Sequence, residues 1–120
     1  MRLKLDSSRP VYQQIMAHIR ETVLSNRYPP GSRIPSVRDL AAEMNVNPNT
    51  IQRAMAELEQ EGLLISNGTL GKTVTDDRSI IAQLREKAVH DTVTECSKMF
   101  HALGLTMQEA ATLLLNEKED

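Results

Sequence analysis

From Met44 to Asn49 the chain reads M-N-V-N-P-N, a run that few backbone paths can satisfy. Asn45 can take the left-handed conformation that ends a helix. Asn47 suits a helix N-cap, and Pro48 suits the first helical position, where its missing N–H costs nothing. One helix therefore stops and a second starts almost at once. The flanks agree. Upstream, Ser36 can cap a helix with Asp39 three residues on to reciprocate, and apolar Val37, Leu40 and Ala41 follow at helical spacing. Downstream, Ile51, Ala54, Met55 and Leu58 form one apolar stripe at i, i+3, i+4 and i+7, and Gly62 closes the helix. Two short helices joined by so tight a turn, over Ile34 to Gly62, are the helix-turn-helix pattern.

The polar residues off that second stripe are Asn49, Thr50, Gln52 and Arg53, all in the first turns. A recognition helix enters the major groove with its N-terminal residues at the base edges. Amide and guanidinium groups pair there bidentately with adenine or guanine, and hydroxyls serve base or phosphate. Singly, each is an ordinary solvated residue of an amphipathic helix. Their grouping just after the tight turn makes them a candidate base-reading face.

The surrounding segments complete a small domain. Pro10 opens a helix to about Asn26, with Val11, Ile15, Ile19 and Val23 at i+4 spacing and Tyr12 and Met16 widening the stripe. Residues 1–9 before it read as extended. Arg27-Tyr28-Pro29-Pro30-Gly31 cannot continue a helix and must turn the chain. After Gly62, Leu63 to Ser66 suits a short strand, Asn67 to Gly71 is turn material, and Lys72 to Thr75 suits a returning strand. Helix-turn-helix plus hairpin is a winged helix. With aromatics at only 2%, the core must be aliphatic, which suits helices.

At this point the chain resembles the GntR family of bacterial transcription regulators, and in particular its short YtrA-like subfamily. The resemblance is carried by Tyr12-Gln13-Gln14-Ile15, by PPGSRIPSVRDLA from Pro29 to Ala41, by NPNTIQRA from Asn47 to Ala54, and by LEQEGL from Leu58 to Leu63. It covers roughly residues 8–75. It implies an N-terminal winged-helix DNA-binding domain over residues 1–75, a homodimer, and binding to a palindromic operator as a repressor. Ser36, Arg38, Asn49, Thr50 and Gly71 match the family's DNA-contacting positions. Gly71 would let the wing tip approach the minor groove without a side chain in the way. Many members carry arginine where this chain has Pro48 and Gln52, although Asn-Pro-Asn-Thr is the YtrA-like variant. Related wings are commonly basic at the positions of Ser66, Asn67 and Leu70, whereas here only Lys72 is basic. That difference implies weak minor-groove binding, with Arg33, Arg38 and Arg53 carrying most of the local charge. The candidate DNA-binding set is therefore Arg33, Ser36, Arg38, Asn47, Asn49, Thr50, Gln52, Arg53, Gly71 and Lys72.

A net charge of −2 looks unsuited to DNA until the chain is divided. Residues 1–75 hold nine Lys/Arg against seven Asp/Glu, a balance of +2, and residues 76–120 hold five against nine, a balance of −4. The excess is small, so phosphate affinity per monomer should be modest and a dimer would help.

Residues 76–120 read as a helical dimerisation region. Asp76-Asp77-Arg78 starts a long helix, acidic at its positive end. Ile81, Leu84, Ala88, Val89, Val93, Cys96, Phe100 and Leu103 mark its apolar side, and Gly104 ends it. Thr106-Met107-Gln108-Glu109 is a capping box for a last helix, and Glu117 to Asp120 is a solvated tail. Two helices form too small a core to enclose a metabolite, and a homotypic bundle is the natural way to cover the stripe. The expected architecture is mainly α: a winged helix-turn-helix of three helices and a β-hairpin wing, then a two-helix dimerisation unit.

Catalytic and metal chemistry find no support in these residues. His90 and His101 are about 16 Å apart along one helix and cannot share an ion. HExxH, CxxC, GxGxxG and P-loop motifs are absent, and no cofactor is expected. Cys96, the single cysteine, reads as a small hydrophobe in a reducing compartment. With no membrane-spanning stretch and no apolar signal-like run in MRLKLDSS, a cytoplasmic protein is expected. The competing reading is a winged-helix protein-interaction module that binds DNA weakly or not at all.

Overall fold

The computed structural model describes residues 4–118, so the expectations for residues 1–3 and for the last two tail residues lie outside it. Among the described residues the architecture is mainly helical: α1 Val11–Leu24, α2 Val37–Met44, α3 Pro48–Gln60, β1 Leu64–Ser66, β2 Lys72–Val74, α4 Arg78–Ala102 and α5 Met107–Leu115. These are the winged-helix elements followed by two further helices, as the sequence implies. Contacts group the chain up to Leu84 as one compact unit and the chain from Arg85 as a second.

In the first unit α1 packs on α3. Ile15, Ile19 and Val23 of α1 meet a core completed by Leu40 of α2, Ile51, Met55 and Leu58 of α3, and Leu63, Leu64 and Val74 of the hairpin, all essentially inaccessible. Truncating one such side chain to alanine costs about 2–5 kcal/mol. Helix α1 is shorter than the sequence suggests. Pro10 is its N-cap rather than its first turn, and it stops at Leu24 because Asn26 adopts φ +68. That left-handed residue lets the Arg27 N–H reach back to the Thr22 carbonyl at 3.1 Å. Ahead of α1, the buried Gln14 side chain accepts from the Asp6 N–H at 2.7 Å and donates to the Arg9 carbonyl at 3.0 Å. The end of the segment expected to be loose is thereby tied down.

The turn between α2 and α3 forms as its residues dictate. Asn45 takes φ +55, ψ +52, and the Val46 N–H reaches the Ala41 carbonyl at 3.1 Å. Asn47 Oδ1 accepts from the Asn49 N–H at 2.8 Å, with Pro48 at the first helical position. Ser36 Oγ accepts from the Asp39 N–H at 3.1 Å. That is one half of the reciprocal pair suggested by the sequence; no return bond from Asp39 forms among the described residues. At the end of α3, Gly62 has φ +86, and the Leu63 N–H bonds the Leu58 carbonyl while the Gly62 N–H bonds that of Glu59. This double bond with a left-handed glycine is the Schellman closure.

The hairpin pairs Leu64 with Val74, Ile65 with Thr73 and Ser66 with Lys72, around a 3-10 turn at Gly68–Leu70. The segment after the double proline does more than turn. Its Gly31 and Ile34 N–H groups donate to the carbonyls of Val74 and Lys72, and its Ser32 carbonyl accepts from the Val74 N–H at 2.8 Å. It therefore covers the outer edge of β2, which would otherwise present unpaired backbone groups. The first turns of α4 belong to the same unit: Ile81 is buried, and the Ile80 side chain lies 3.4 Å from where a Cβ on Gly62 would sit. Asp77 caps α4, accepting from the Ser79 N–H at 3.0 Å.

In the second unit, Gly104 at φ +83 closes α4, with the Leu105 N–H on the Phe100 carbonyl at 3.1 Å. The Thr106/Glu109 capping box then starts α5, both of its bonds being formed. Ala110 is buried, yet Val89, Val93, Leu103, Leu113, Leu114 and Leu115 are exposed, Leu103 by 79%. The apolar side of α4 is also not one stripe. Ile81, Leu84 and Ala88 share one line; Val89, Val93, Cys96, Phe100 and Leu103 share another, rotated by about 100° because Ala88 and Val89 are adjacent. The first line is buried or half-buried, and only Phe100 of the second is more than slightly covered.

Candidate nucleic-acid interface

Helix α3 buries one side completely through Ile51, Ala54, Met55 and Leu58, which leaves its other side to be defined by whatever polar residues fall there. Asn49, Gln52 and Arg53 are exposed on it, and Thr50 is half-buried. The Asn47 cap fixes the helix start, so these side chains project from a rigid first turn rather than from a frayed end. An open cleft of about 530 Å³ between α2, α3 and β2 is lined by Val37, Asn49, Gln52, Arg53, Met55, Ala56 and Lys72. Three of the four residues assigned to the base-reading face from sequence thus share one concavity.

Arg53 is placed by an aromatic ring. Its guanidinium carbon lies 3.7 Å from the centroid of Tyr12 on α1, a cation–π stack. Stacking occupies the flat face of the guanidinium and leaves its N–H edge pointing along the ring plane, available for a bidentate contact. Tyr12 reads from sequence only as part of an apolar stripe, and its second role was not legible there.

Charge near this face comes from Arg33, Arg38 and Arg53, all exposed and none paired with a carboxylate among the described residues. Arg38 stands on the first turn of α2, next to the Ser36 cap. Arg33 lies in the segment that covers β2, bridged to Thr73, and so flanks the wing rather than the recognition helix. Gly71 follows the wing turn with φ +77, a left-handed conformation that favours glycine, and nothing lies within 4 Å of where its Cβ would stand. The space there is open to an approaching backbone.

Lys72 differs from the three arginines. Its ammonium pairs with the Glu59 carboxylate on α3 and donates to Ser66 Oγ at 2.5 Å. Ser66 in turn donates to Glu59 Oε2 at 2.7 Å. A second tie runs from α1, where Arg20 grips Glu61 at 2.6 Å and 3.3 Å in a two-pronged pair. Both glutamates at the end of α3 therefore brace the domain. Neither is distinguishable in sequence from an ordinary solvated carboxylate.

A helix-turn-helix with a hairpin wing and an exposed amide, amide, guanidinium series on its second helix defines the winged-helix class of DNA-binding domain. The profile of the bacterial regulatory proteins of the gntR family matches residues 11–74, and the chain belongs to that family. It is 33% identical over 106 residues to the uncharacterised regulator YhcF of Bacillus subtilis, covering 88% of each chain. It is 45% identical over 58 residues to the transcriptional repressor YtrA of the same organism, covering 48% of this chain and 45% of that one. Among solved structures, a GntR family transcriptional regulator from Listeria monocytogenes superposes with a TM-score of 0.86 at 31% identity, over 95% of this chain and all of that one. The DNA-binding domain of AraR in complex with an operator superposes with a TM-score of 0.56 at 28% identity, over 62% of this chain and 98% of that one.

Proposed function

We propose that this GntR-family regulator is a sequence-specific DNA-binding repressor, cytoplasmic, acting as a homodimer on a two-fold symmetric operator. One observation carries the reading: Asn49, Gln52 and Arg53 stand exposed together on the first turns of a helix whose opposite side is wholly buried. Asn49, Gln52 and Arg53 read base edges, with Thr50 and Asn47 beside them. Arg33, Ser36 and Arg38 hold phosphates, and Gly71 lets the wing turn approach the minor groove. The operator-bound AraR domain and the repressor YtrA lend support as similar proteins.

The dimer is proposed from the exposed side of the second unit. Val89, Val93, Cys96, Phe100 and Leu103 follow the alternating 4-3 spacing of a coiled-coil seam, and most of that line is exposed. Ile81, Leu84 and Ala88, although part of the expected dimerisation set, serve the same helix on its covered line. Apolar surface of this extent is rarely left open in a monomer. A dimer bound over a promoter would obstruct polymerase, which is how it would repress.

The competing reading, a winged-helix interaction module without DNA, draws on one observation: the wing's lysine is neutralised by Glu59. Titrating the protein with its own upstream promoter DNA and with a scrambled duplex, at several salt concentrations, separates the two. Preference for promoter DNA with affinity falling as salt rises is the expected outcome. Indifference to both duplexes would favour the interaction module.

A further inference from the structure

The hairpin carries one cation, Lys72, and the structure ties it to an anion of the recognition helix itself. Glu59 lies at the C-terminal end of α3, Ser66 on β1 and Lys72 on β2, with Ser66 and Lys72 directly opposed across the hairpin. Glu59 receives the ammonium of Lys72 and both bonds of the Ser66 hydroxyl, at 3.1 Å and 2.7 Å. Helix end and both strands therefore meet at a single carboxylate. The Lys72 and Glu59 side chains retain only 29% and 37% of their accessibility, so the ammonium is held in and not merely near. Lys72 also borders the cleft that Asn49, Gln52 and Arg53 line. A lysine released there would stand beside the proposed DNA face.

We propose that Glu59 is a restraining residue: it holds Lys72 against the end of α3, so that the wing meets DNA without a cation and the phosphate contacts fall to Arg33, Arg38 and Arg53. The inference rests on the DNA-binding reading given above. Its physical basis is an exchange that gains little. Moving Lys72 to a phosphate replaces one anion partner by another and strips the Glu59 carboxylate of its cation just as DNA brings further negative charge close. The lysine also loses the Ser66 oxygen. Lys72 first, and Ser66 second, hold the Glu59 carboxyl below the ordinary range, which accords with a stable pair.

The test uses four full-length proteins: the parent, Lys72→Met, Glu59→Gln and the double variant. Affinity for one duplex is measured between roughly 50 and 200 mM salt, where one more phosphate contact steepens the slope of log affinity against log salt by about 0.9, or about 3.5-fold across that range. Lys72→Met should keep the parental slope, Glu59→Gln should steepen it by that amount, and the double variant should return to it. The Glu59 carboxyl, followed by NMR without DNA, should titrate low in the parent and move up in Lys72→Met. A slope flattened by about 0.9 in Lys72→Met alone would overturn the proposal, because it places the lysine on a phosphate. An unmoved Glu59 titration in that variant would overturn it as well. Failure of all four proteins to bind any duplex, with the Glu59 titration moving as expected, would instead count against the DNA-binding reading and leave the pair standing.

Discussion

The Arg53 guanidinium rests on the Tyr12 ring, its carbon 3.7 Å from the ring centroid, although forty-one positions separate the two in sequence. Helix α1, which otherwise supplies core, thereby sets the direction of a residue on the recognition helix. Tyr12→Ala should weaken operator binding by about 0.5–1 kcal/mol, the usual worth of an exposed cation–π contact. Tyr12→Phe should bind like the parent, since the ring and not the hydroxyl does the holding. Arg53→Lys should not restore Arg53→Ala, because an ammonium neither stacks flat nor offers a fork. Operator titrations of the four variants check this; equal affinity for Tyr12→Ala and parent would remove the stack from any role in DNA binding.

Asn49 and Arg38 should fail in different ways. Asn49→Ala is expected to cost about 1–3 kcal/mol on the best operator and to relax preference at one base pair. Arg38→Ala is expected to weaken all duplexes alike and to reduce the salt slope by about one. Binding to a panel of single-base operator variants at two salt concentrations distinguishes the two patterns. Identical profiles for both variants would mean that the assignment of base and phosphate roles is wrong.

The second unit offers a direct handle on assembly. Val93, exposed by 58%, lies in the 4-3 line, and Val93→Glu should convert a dimer to a monomer and lower operator affinity together. Cys96 sits midway along that line, seven residues from both Val89 and Leu103, and is exposed. A two-fold seam of either polarity that is centred there would bring two Cys96 residues together, so mild oxidation should yield a covalent dimer in the parent and none in Cys96→Ser. Sedimentation equilibrium provides the check, and a parent protein that is monomeric at micromolar concentration would contradict the proposed seam.

Acid should loosen the fold in a defined window. Hydrogen bonds from the Ser79 hydroxyl, then its backbone N–H, hold Asp77 below the usual aspartate range, and the Thr106 N–H, then its hydroxyl, do the same for Glu109. Lys72 and then Ser66 act likewise on Glu59. Carboxyls depressed by folding contribute stability above their unfolded values, about pH 4, and lose it as pH falls through the lower folded values. Thermal unfolding should therefore be nearly flat from neutrality to about pH 5 and decline below about pH 4. Asp77→Asn and Glu109→Gln should each shallow that decline. A melting temperature that holds or rises from pH 5 to pH 3 would contradict it.

Much of this domain was legible because its signals are local. Asn45, Asn47, Pro48 and Gly62 act within a few residues of themselves, and each adopts the conformation its chemistry favours. The stripes of α1 and α3 declare their buried sides by spacing alone. What stayed hidden depends on partners distant in sequence. The edge of β2 is covered by Gly31 to Ile34, a segment whose two prolines announced only a turn. Tyr12 under Arg53, Arg20 on Glu61 and Lys72 on Glu59 join residues whose spacings carry no pattern. The wing lysine could be seen in sequence, but the anion that holds it could not. In α4 the slip between Ala88 and Val89 was present in the spacing, yet only burial separates the covered line from the exposed one.

Selection of binding sites from a pool of randomised duplexes, using the full chain at physiological salt, tests DNA reading by α3 most directly. A sequence-specific dimer should enrich an inverted repeat whose half-site centres lie about one helical turn or a small multiple apart, bound on the order of a thousandfold or more above the starting pool. The Arg53→Ala and Asn49→Ala proteins should enrich it weakly or with altered bases. A pool that emerges with no common sequence after repeated rounds would contradict a base-reading role for Asn49, Gln52 and Arg53.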